Sequence, residues 1–303
     1  MRLSGSITAL ATPFDADGAV DLDAYTRLID AQLRGGTRAL VVAGSTGEAA
    51  ALTEAEFDAL LARAIERVGG RVPVLAGTGL SNTAKTIALT RRVAAIGADA
   101  ALVVTPPYVR PTQAGLLAHY RAVAAEGGLP VVLYNVPGRT GVDLLPETVV
   151  ELAHEPGIVA FKEAVADEGR IQALVDGCPR DFVLLSGDDP TFLGALQAGF
   201  GGVVSVASNV VPASFAAICA HHASGDAGSA AALDAELQPL YGFLGVEPNP
   251  IPVKALLARA GIGHGLRLPL QPLSARHAAA ADAMAGLVDS LESRILTASR
   301  PGA

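Results

Sequence analysis

Lys162 stands in an otherwise apolar, strand-like run, Val159-Ala160-Phe161-Lys162-Glu163-Ala164, that follows Pro156-Gly157. Lysine is among the residues least often fully buried. The chain holds only three lysines, Lys85, Lys162 and Lys254, against nineteen arginines, so wherever a plain cation serves, arginine has nearly always been used. Arginine keeps its proton, whereas lysine can lose it. An amine desolvated by apolar neighbours can have its pKa lowered by up to roughly 3 to 5 units, which frees the lone pair to attack a carbonyl. Taken alone, the segment reads equally as a Schiff-base nucleophile and as a strand-end lysine that snorkels to water.

Other residues could share such chemistry. Gly44-Ser45-Thr46-Gly47 brings two hydroxyls and consecutive backbone N–H groups to one turn, a nest suited to a carboxylate. No Gly-Lys-Ser/Thr follows, which excludes a phosphate P-loop. Tyr134 ends an apolar run, and its hydroxyl could exchange a proton with an amine on a neighbouring strand. Arg139 follows in a Pro-Gly-Arg-Thr turn; its planar fork suits a second carboxylate, although an isolated loop arginine reads first as surface.

The elements that position these residues show in the spacing. Short apolar runs recur at residues 7–11, 39–43, 73–76, 100–104, 130–134, 158–162, 182–186 and 203–206. Between them lie helical patterns opened by capping residues: Asp21, the Thr53–Glu56 capping box, Asn82, Thr112, Pro146 and Asp189-Pro190. Strands that are apolar throughout imply a sheet covered on both faces, and strict alternation with helices implies parallel pairing. Eight such units predict an α/β fold, a (β/α)8 TIM barrel. The competing doubly wound sheet lacks its GxGxxG after the first strand. From about Pro212 onward the pattern is helical, which predicts a barrel over residues 1–224 and a C-terminal helical appendage over 225–303, with the proline-spaced connector Val246–Pro252 inside it. In such a barrel the chemistry sits at the C-terminal ends of the strands, where Ser45, Thr46, Tyr108, Tyr134, Arg139, Lys162 and Gly187 all fall.

Composition narrows the partners. The formal charge is −8, and no basic cluster exceeds Arg91-Arg92, which argues against nucleic acid. No run approaches the roughly 18 apolar residues that span a bilayer, and the first residues lack a signal-peptide core, so a soluble cytoplasmic protein is expected. Cys178 and Cys219 form no CxxC and read as packing residues. The six histidines lack metal-ligand spacing, so no metal is expected.

Five motifs together carry a resemblance: Gly-Ser-Thr-Gly-Glu at 44–48, Tyr-Asn-Val-Pro-Gly-Arg-Thr at 134–140, Phe-Lys-Glu-Ala at 161–164, Ser-Gly-Asp-Asp at 186–189 and Val-Glu-Pro-Asn-Pro-Ile-Pro-Val-Lys at 246–254. In order and spacing, over roughly residues 3–274, the chain resembles the dihydrodipicolinate synthase and N-acetylneuraminate lyase family of pyruvate-dependent class I aldolases. The resemblance implies that Lys162 forms the Schiff base with pyruvate and that Tyr134 donates and accepts its protons. It implies that Thr46 and adjacent amides hold the pyruvate carboxylate, that Ser45 relays protons between Tyr134 and Tyr108, and that Tyr108 reaches into a neighbouring subunit of a dimer or dimer of dimers. Arg139 would bind the carboxylate of L-aspartate 4-semialdehyde, and the backbone at Gly187 and Val204 would line the pocket. No cofactor is implied. The Gly-Arg-Thr turn points to the synthase branch, whereas Ser45 is a threonine in many synthases. Phe57, Ser81 and Lys85 stand where lysine-regulated members often carry His, Asn and Glu, which implies weak or absent inhibition by L-lysine. The alternatives are an aldolase acting on a 2-keto-3-deoxy sugar acid such as N-acetylneuraminate and, more remotely, a catalytically silent barrel with a binding or regulatory role.

Overall fold

The computed structural model describes residues 3–298; positions 1–2 and 299–303, the ends of the two expected regions, lie outside the described residues. Eight strands follow the apolar runs to within two residues at their starts and ends: β1 Gly5–Ala9, β2 Ala39–Val42, β3 Val74–Gly77, β4 Ala100–Val104, β5 Val131–Asn135, β6 Ile158–Glu163, β7 Val183–Ser186 and β8 Gly202–Ser205. They form a closed barrel in chain order, as the alternation predicts.

Several helices begin where a side chain can take up the orphan N–H groups of a first turn. Asp21 accepts from the amides of Asp23 and Ala24 ahead of α1 (Leu22–Arg34). Thr53 and Glu56 complete the expected capping box of α2 (Glu54–Val68). Asn82 caps α3 (Thr83–Ile96) and Thr112 caps α4 (Gln113–Glu126). The Pro-Gly-Arg-Thr segment, read from sequence as a turn, closes into one helical turn, α5 (Pro137–Thr140), because the Arg139 and Thr140 amides both reach back to Val136 O. α6 spans Pro146–Leu152, and α7 (Glu168–Gly177) starts at Asp167, whose carboxylate takes the Arg170 amide. At Asp189-Pro190 the chain makes a 3-10 turn before α8 (Phe192–Ala198). Four further helices follow the barrel strands: α9 Pro212–Ala223, α10 Ala227–Leu244, α11 Ile251–Arg259 and α12 Ala278–Ala298. Among the described residues, no helix is long and apolar enough to cross a membrane.

The described residues divide into two compact units, one of Pro73–Val204 with residues 3–4, the other of Gly5–Val72 with residues 205–298. In the first, the outward faces of the strands pack under the helices: Val103, Leu133 and Phe161 share a buried cluster with Leu116 and Tyr120 of α4 and Leu174 of α7. Burying a side chain such as Phe161 fully is worth roughly 1.5–3 kcal/mol. Successive side chains alternate across a strand, so Tyr134 and Lys162, one residue past Leu133 and Phe161, face the other way. Their pairing depends on an irregularity. Val131 opposes Ile158, but Val132 opposes Ala160, leaving Val159 as an extra residue on β6. Without that bulge the Val131–Ile158 register would set Tyr134 against Phe161; with it, Tyr134 is opposite Lys162.

In the second unit, α1 lies against α2 and α9 and buries Tyr25, Leu28 and Ile29. Ser208 and Asn209, which follow β8, are buried and occupied structurally. Ser208 Oγ lies 2.8 Å from Thr8 Oγ1, while Asn209 accepts from Ala11 N and donates to Ala9 O at 2.9 and 2.8 Å. Removing the Asn209 amide would orphan both Ala11 N and Ala9 O, the cost that a buried polar network carries when one member is lost.

His119 of α4 supplies a test of the first unit. Its imidazole is buried with Nδ1 2.9 Å from Thr83 Oγ1 and Nε2 without a partner, and burial lowers its pKa to about 4. The unfolded chain protonates this group near 6.5, so between pH 6.5 and 4 the unfolded state holds more protons and stability falls as pH drops. Lowering the pH from 7.5 to 5 is expected to remove about 2 kcal/mol through this group. Urea denaturation of wild type and His119→Leu at both values checks it: the gap between the two proteins should move by about that amount in favour of the variant at pH 5, and a pH-independent gap would refute the assignment.

Candidate active site

Lys162 is 5% exposed at the C-terminal end of β6, and its Nζ lies 4.2 Å from the centroid of the Tyr134 ring. A cation over a partly desolvated ring gains about 0.5–2 kcal/mol. Among the described residues, no carboxylate pairs with this ammonium. Gly187 packs beneath it: its amide donates to Glu163 O at 2.7 Å, and a Cβ there would come within 2.8 Å of Lys162 Cε. Any side chain at 187 would therefore require the lysine stem to shift. Val204 is buried on β8.

Behind this pair, on the opposite face of the strands, the next two residues are tied together. Asn135 is opposite Glu163 in the β5–β6 register, and its Nδ2 donates to Glu163 Oε1 at 3.0 Å and to Asp143 Oδ1 at 2.7 Å. Arg170 of α7 donates from Nε to Glu163 Oε2 at 2.5 Å and from its two terminal nitrogens to Asp143 at 3.0 and 2.9 Å. Burial pushes the Glu163 carboxyl above its usual value, against the pull of the Arg170 guanidinium. Sequence reasoning passed over this network, since the only local sign of it is an acidic residue beside the lysine.

Tyr108 and Arg139 sit on neighbouring turns of the same unit. The Tyr108 amide donates to Thr140 O at 3.1 Å, and Thr105 Oγ1 donates to Thr140 Oγ1 at 3.0 Å. Tyr108 has φ +73°, an uncommon conformation for a bulky side chain that persists only where the surroundings impose it. The result is a tyrosine ring 91% exposed, next to the exposed Val109. Arg139 is exposed on α5. Ser81, whose Oγ donates to Pro107 O at 2.9 Å, and Lys85 are exposed, while Phe57 of the other unit is buried.

In the second unit the loop after β2 carries Ser45 and Thr46. The nest is narrower than the sequence suggests: the Gly47 and Glu48 amides close back on Gly44 O and Ser45 O at 3.1 and 3.2 Å, which leaves the Ser45 and Thr46 amides as its donors. Ser45 is exposed and Thr46 is 2% exposed. Two residues of the motif at 246–254 hold this loop. Asn249 Nδ2 donates to Thr46 Oγ1 at 3.0 Å, and Lys254 Nζ pairs with the Glu48 carboxylate. Lys254 therefore has a structural place, pairing with a buried carboxylate. Among the described residues no group of three or more His, Cys, Asp or Glu side chains is arranged to hold a metal ion.

Comparison with known proteins meets this geometry. The profile of the Dihydrodipicolinate synthetase family matches residues 2–286. A 4-hydroxy-tetrahydrodipicolinate synthase of Stenotrophomonas maltophilia (strain K279a) is 64% identical over 292 residues, covering 96% of this chain and 98% of its own. Among solved structures, a chloride-inhibited dihydrodipicolinate synthase from Acinetobacter baumannii, complexed with pyruvate, superposes with a TM-score of 0.93 at 39% identity, over 95% of this chain and 99% of that one. A monomeric dihydrodipicolinate synthase variant gives the same TM-score at 41% identity, over 95% and 97%.

Proposed function

The chain belongs to the Dihydrodipicolinate synthetase family, and from that premise we propose that it is an enzyme that condenses pyruvate with L-aspartate 4-semialdehyde through a Schiff base on Lys162. The observation that carries the mechanism is a buried lysine that has no carboxylate partner among the described residues, opposite a tyrosine whose ring lies 4.2 Å from its Nζ.

The chemistry follows from these groups. The Lys162 amine adds to the keto carbon of pyruvate, and loss of water gives an imine; Tyr134 donates and accepts the protons of this step. The protonated imine then serves as electron sink, so a methyl proton leaves and the resulting enamine carbon attacks the aldehyde. The amine of the second substrate displaces Lys162 by transimination, closing the ring and freeing the enzyme. Thr46 and the loop amides take the pyruvate carboxylate, because a carboxylate accepts hydrogen bonds and offers none. Ser45 passes protons between Tyr134 and Tyr108. Arg139 takes the carboxylate of the semialdehyde in bidentate fashion, and the backbone at Gly187 and Val204 lines the pocket.

Tyr108 supports a homo-oligomer. A hydroxyl-bearing ring 91% exposed on a left-handed backbone fits a residue completed by a second copy of the chain, so the working unit is a dimer or dimer of dimers. A cytoplasmic location fits two free cysteines, since thiols persist in reducing compartments.

Substrate choice tests the reading. Pyruvate with L-aspartate 4-semialdehyde should turn over, with kcat/KM at least about 10²-fold above that of pyruvate with N-acetylmannosamine, the discrimination expected when a charged site loses its partner. The reverse preference would assign the chain to sugar-acid chemistry.

A further inference from the structure

The turn that carries Thr46 is held from outside at three successive residues. Asn249 donates to Thr46 Oγ1 at 3.0 Å, Thr12 Oγ1 donates to Gly47 O at 2.7 Å, and Glu48 is bound by Lys254 Nζ and by the Arg267 amide, the latter at 3.1 Å. Glu48 itself has φ +52°, a backbone state that these partners over-determine. The Lys254 and Arg267 cations also lie over the Phe14 ring at 4.1 and 4.4 Å, and Arg267 is anchored to Glu56 Oε1 at 2.5 Å and to Gly18 O at 2.8 Å. The ion pairs fix the backbone. The contact from Asn249 is different in kind, since it falls on the hydroxyl.

We propose that Asn249 is a positioning residue that commits the Thr46 hydroxyl to donate to the pyruvate carboxylate. The inference rests on the reading of Thr46 as a carboxylate ligand. A threonine hydroxyl has one proton and two lone pairs. With an amide N–H already on one lone pair, the oxygen has no need to accept again and its own proton must point elsewhere. Thr46 is almost wholly buried and, among the described residues, has no acceptor for that proton, so the proton is kept for a ligand. Accepting one hydrogen bond also polarises the hydroxyl and strengthens its donation. An anion that brings only acceptors is thereby favoured over a ligand that presents a donor to the same oxygen.

The sharp test is polarity reversal. In Asn249→Asp the side chain accepts, Thr46 turns its proton toward it, and a negative charge stands beside the bound carboxylate. Half-saturation by pyruvate, read from the rate of borohydride trapping, should rise about 100-fold in Asn249→Asp and about tenfold in Asn249→Ala. Turnover at saturating pyruvate and the KM for the semialdehyde should stay within about twofold. In a Thr46→Val background, Asn249→Ala should add less than about twofold, because its effect passes through the missing hydroxyl. If Asn249→Asp does not fold, as judged by its melting temperature, the Thr46→Val and Asn249→Ala cycle decides alone. Additive losses in that cycle, or a drop in kcat with an unchanged half-saturation, would overturn the proposal and leave the Thr46 reading standing. An unchanged half-saturation in Thr46→Val would remove both.

Discussion

Pyruvate followed by borohydride is expected to leave a single covalent adduct per chain, on Lys162, and Lys162→Ala is expected to lose the adduct together with about 10³-fold or more of kcat/KM. Burial alone does not single out this lysine, because Lys254 is equally buried. Burial lowers the pKa of the Lys254 ammonium against the pull of Glu48. The difference lies in the partners. Lys254 is paired with a carboxylate whose side chain is 1% exposed, which favours the protonated amine and so leaves no lone pair free to attack. Lys162 meets the face of Tyr134 instead, and an aromatic ring stabilises the ammonium without taking its proton. Lys254→Met should therefore retain trapping at Lys162, whatever it does to stability. Peptide mapping by mass spectrometry checks both points, and an adduct on Lys254 or on the exposed Lys85 would overturn the mechanism.

The same contrast shows what could be read from the chain alone. Local signals carried the strands, because a strand buried on both faces is apolar at every position, and they carried the helix starts, because a cap needs one side chain within three residues of the amide it serves. Lys162 was legible because it interrupts such a strand in a lysine-poor chain. The bonds that hold the candidate residues in place were not. Asn249 meets Thr46 across 203 positions and Lys254 meets Glu48 across 206, and no periodicity links residues so far apart. The motif at 246–254 was visible as a motif, but its proline-spaced form suggested a connector and gave no hint that two of its side chains grip a loop. The bulge at Val159 was also hidden, since Val-Ala-Phe reads the same in or out of register. Yet that extra residue decides whether Tyr134 faces Lys162 or Phe161.

The network behind Lys162 and Tyr134 carries the other large effect: Arg170→Met is expected to cost about 3–5 kcal/mol of stability near neutral pH, the range found when one partner of a buried ion pair is removed. The Glu163 side chain is 1% exposed and that of Arg170 is 10% exposed, so water cannot replace the lost guanidinium. Among the described residues, Asn135 Nδ2 and the Val165 amide, at 3.0 and 2.9 Å, would remain as the donors to the Glu163 carboxylate. Its carboxyl, already raised by burial with Arg170 present, would rise further. A carboxyl whose folded pKa lies above its unfolded value makes the folded state hold the extra proton, so stability is lost as pH rises through that window. The deficit of Arg170→Met should therefore be larger at pH 8 than at pH 5.5. Adding Glu163→Gln to the variant should recover more than half of the loss at pH 8, because a neutral amide has no buried charge to leave uncompensated. Urea denaturation of wild type, Arg170→Met and the double variant at the two pH values measures this, and a deficit independent of pH and of residue 163 would show that Arg170 acts through packing alone. Lys162 and Tyr134 immediately precede Glu163 and Asn135 on their strands, so loosening this tie displaces the amine and the ring together. The trapping rate in Arg170→Met should fall about tenfold or more at saturating pyruvate, and Glu163→Gln in the same chain should restore part of that rate along with the stability.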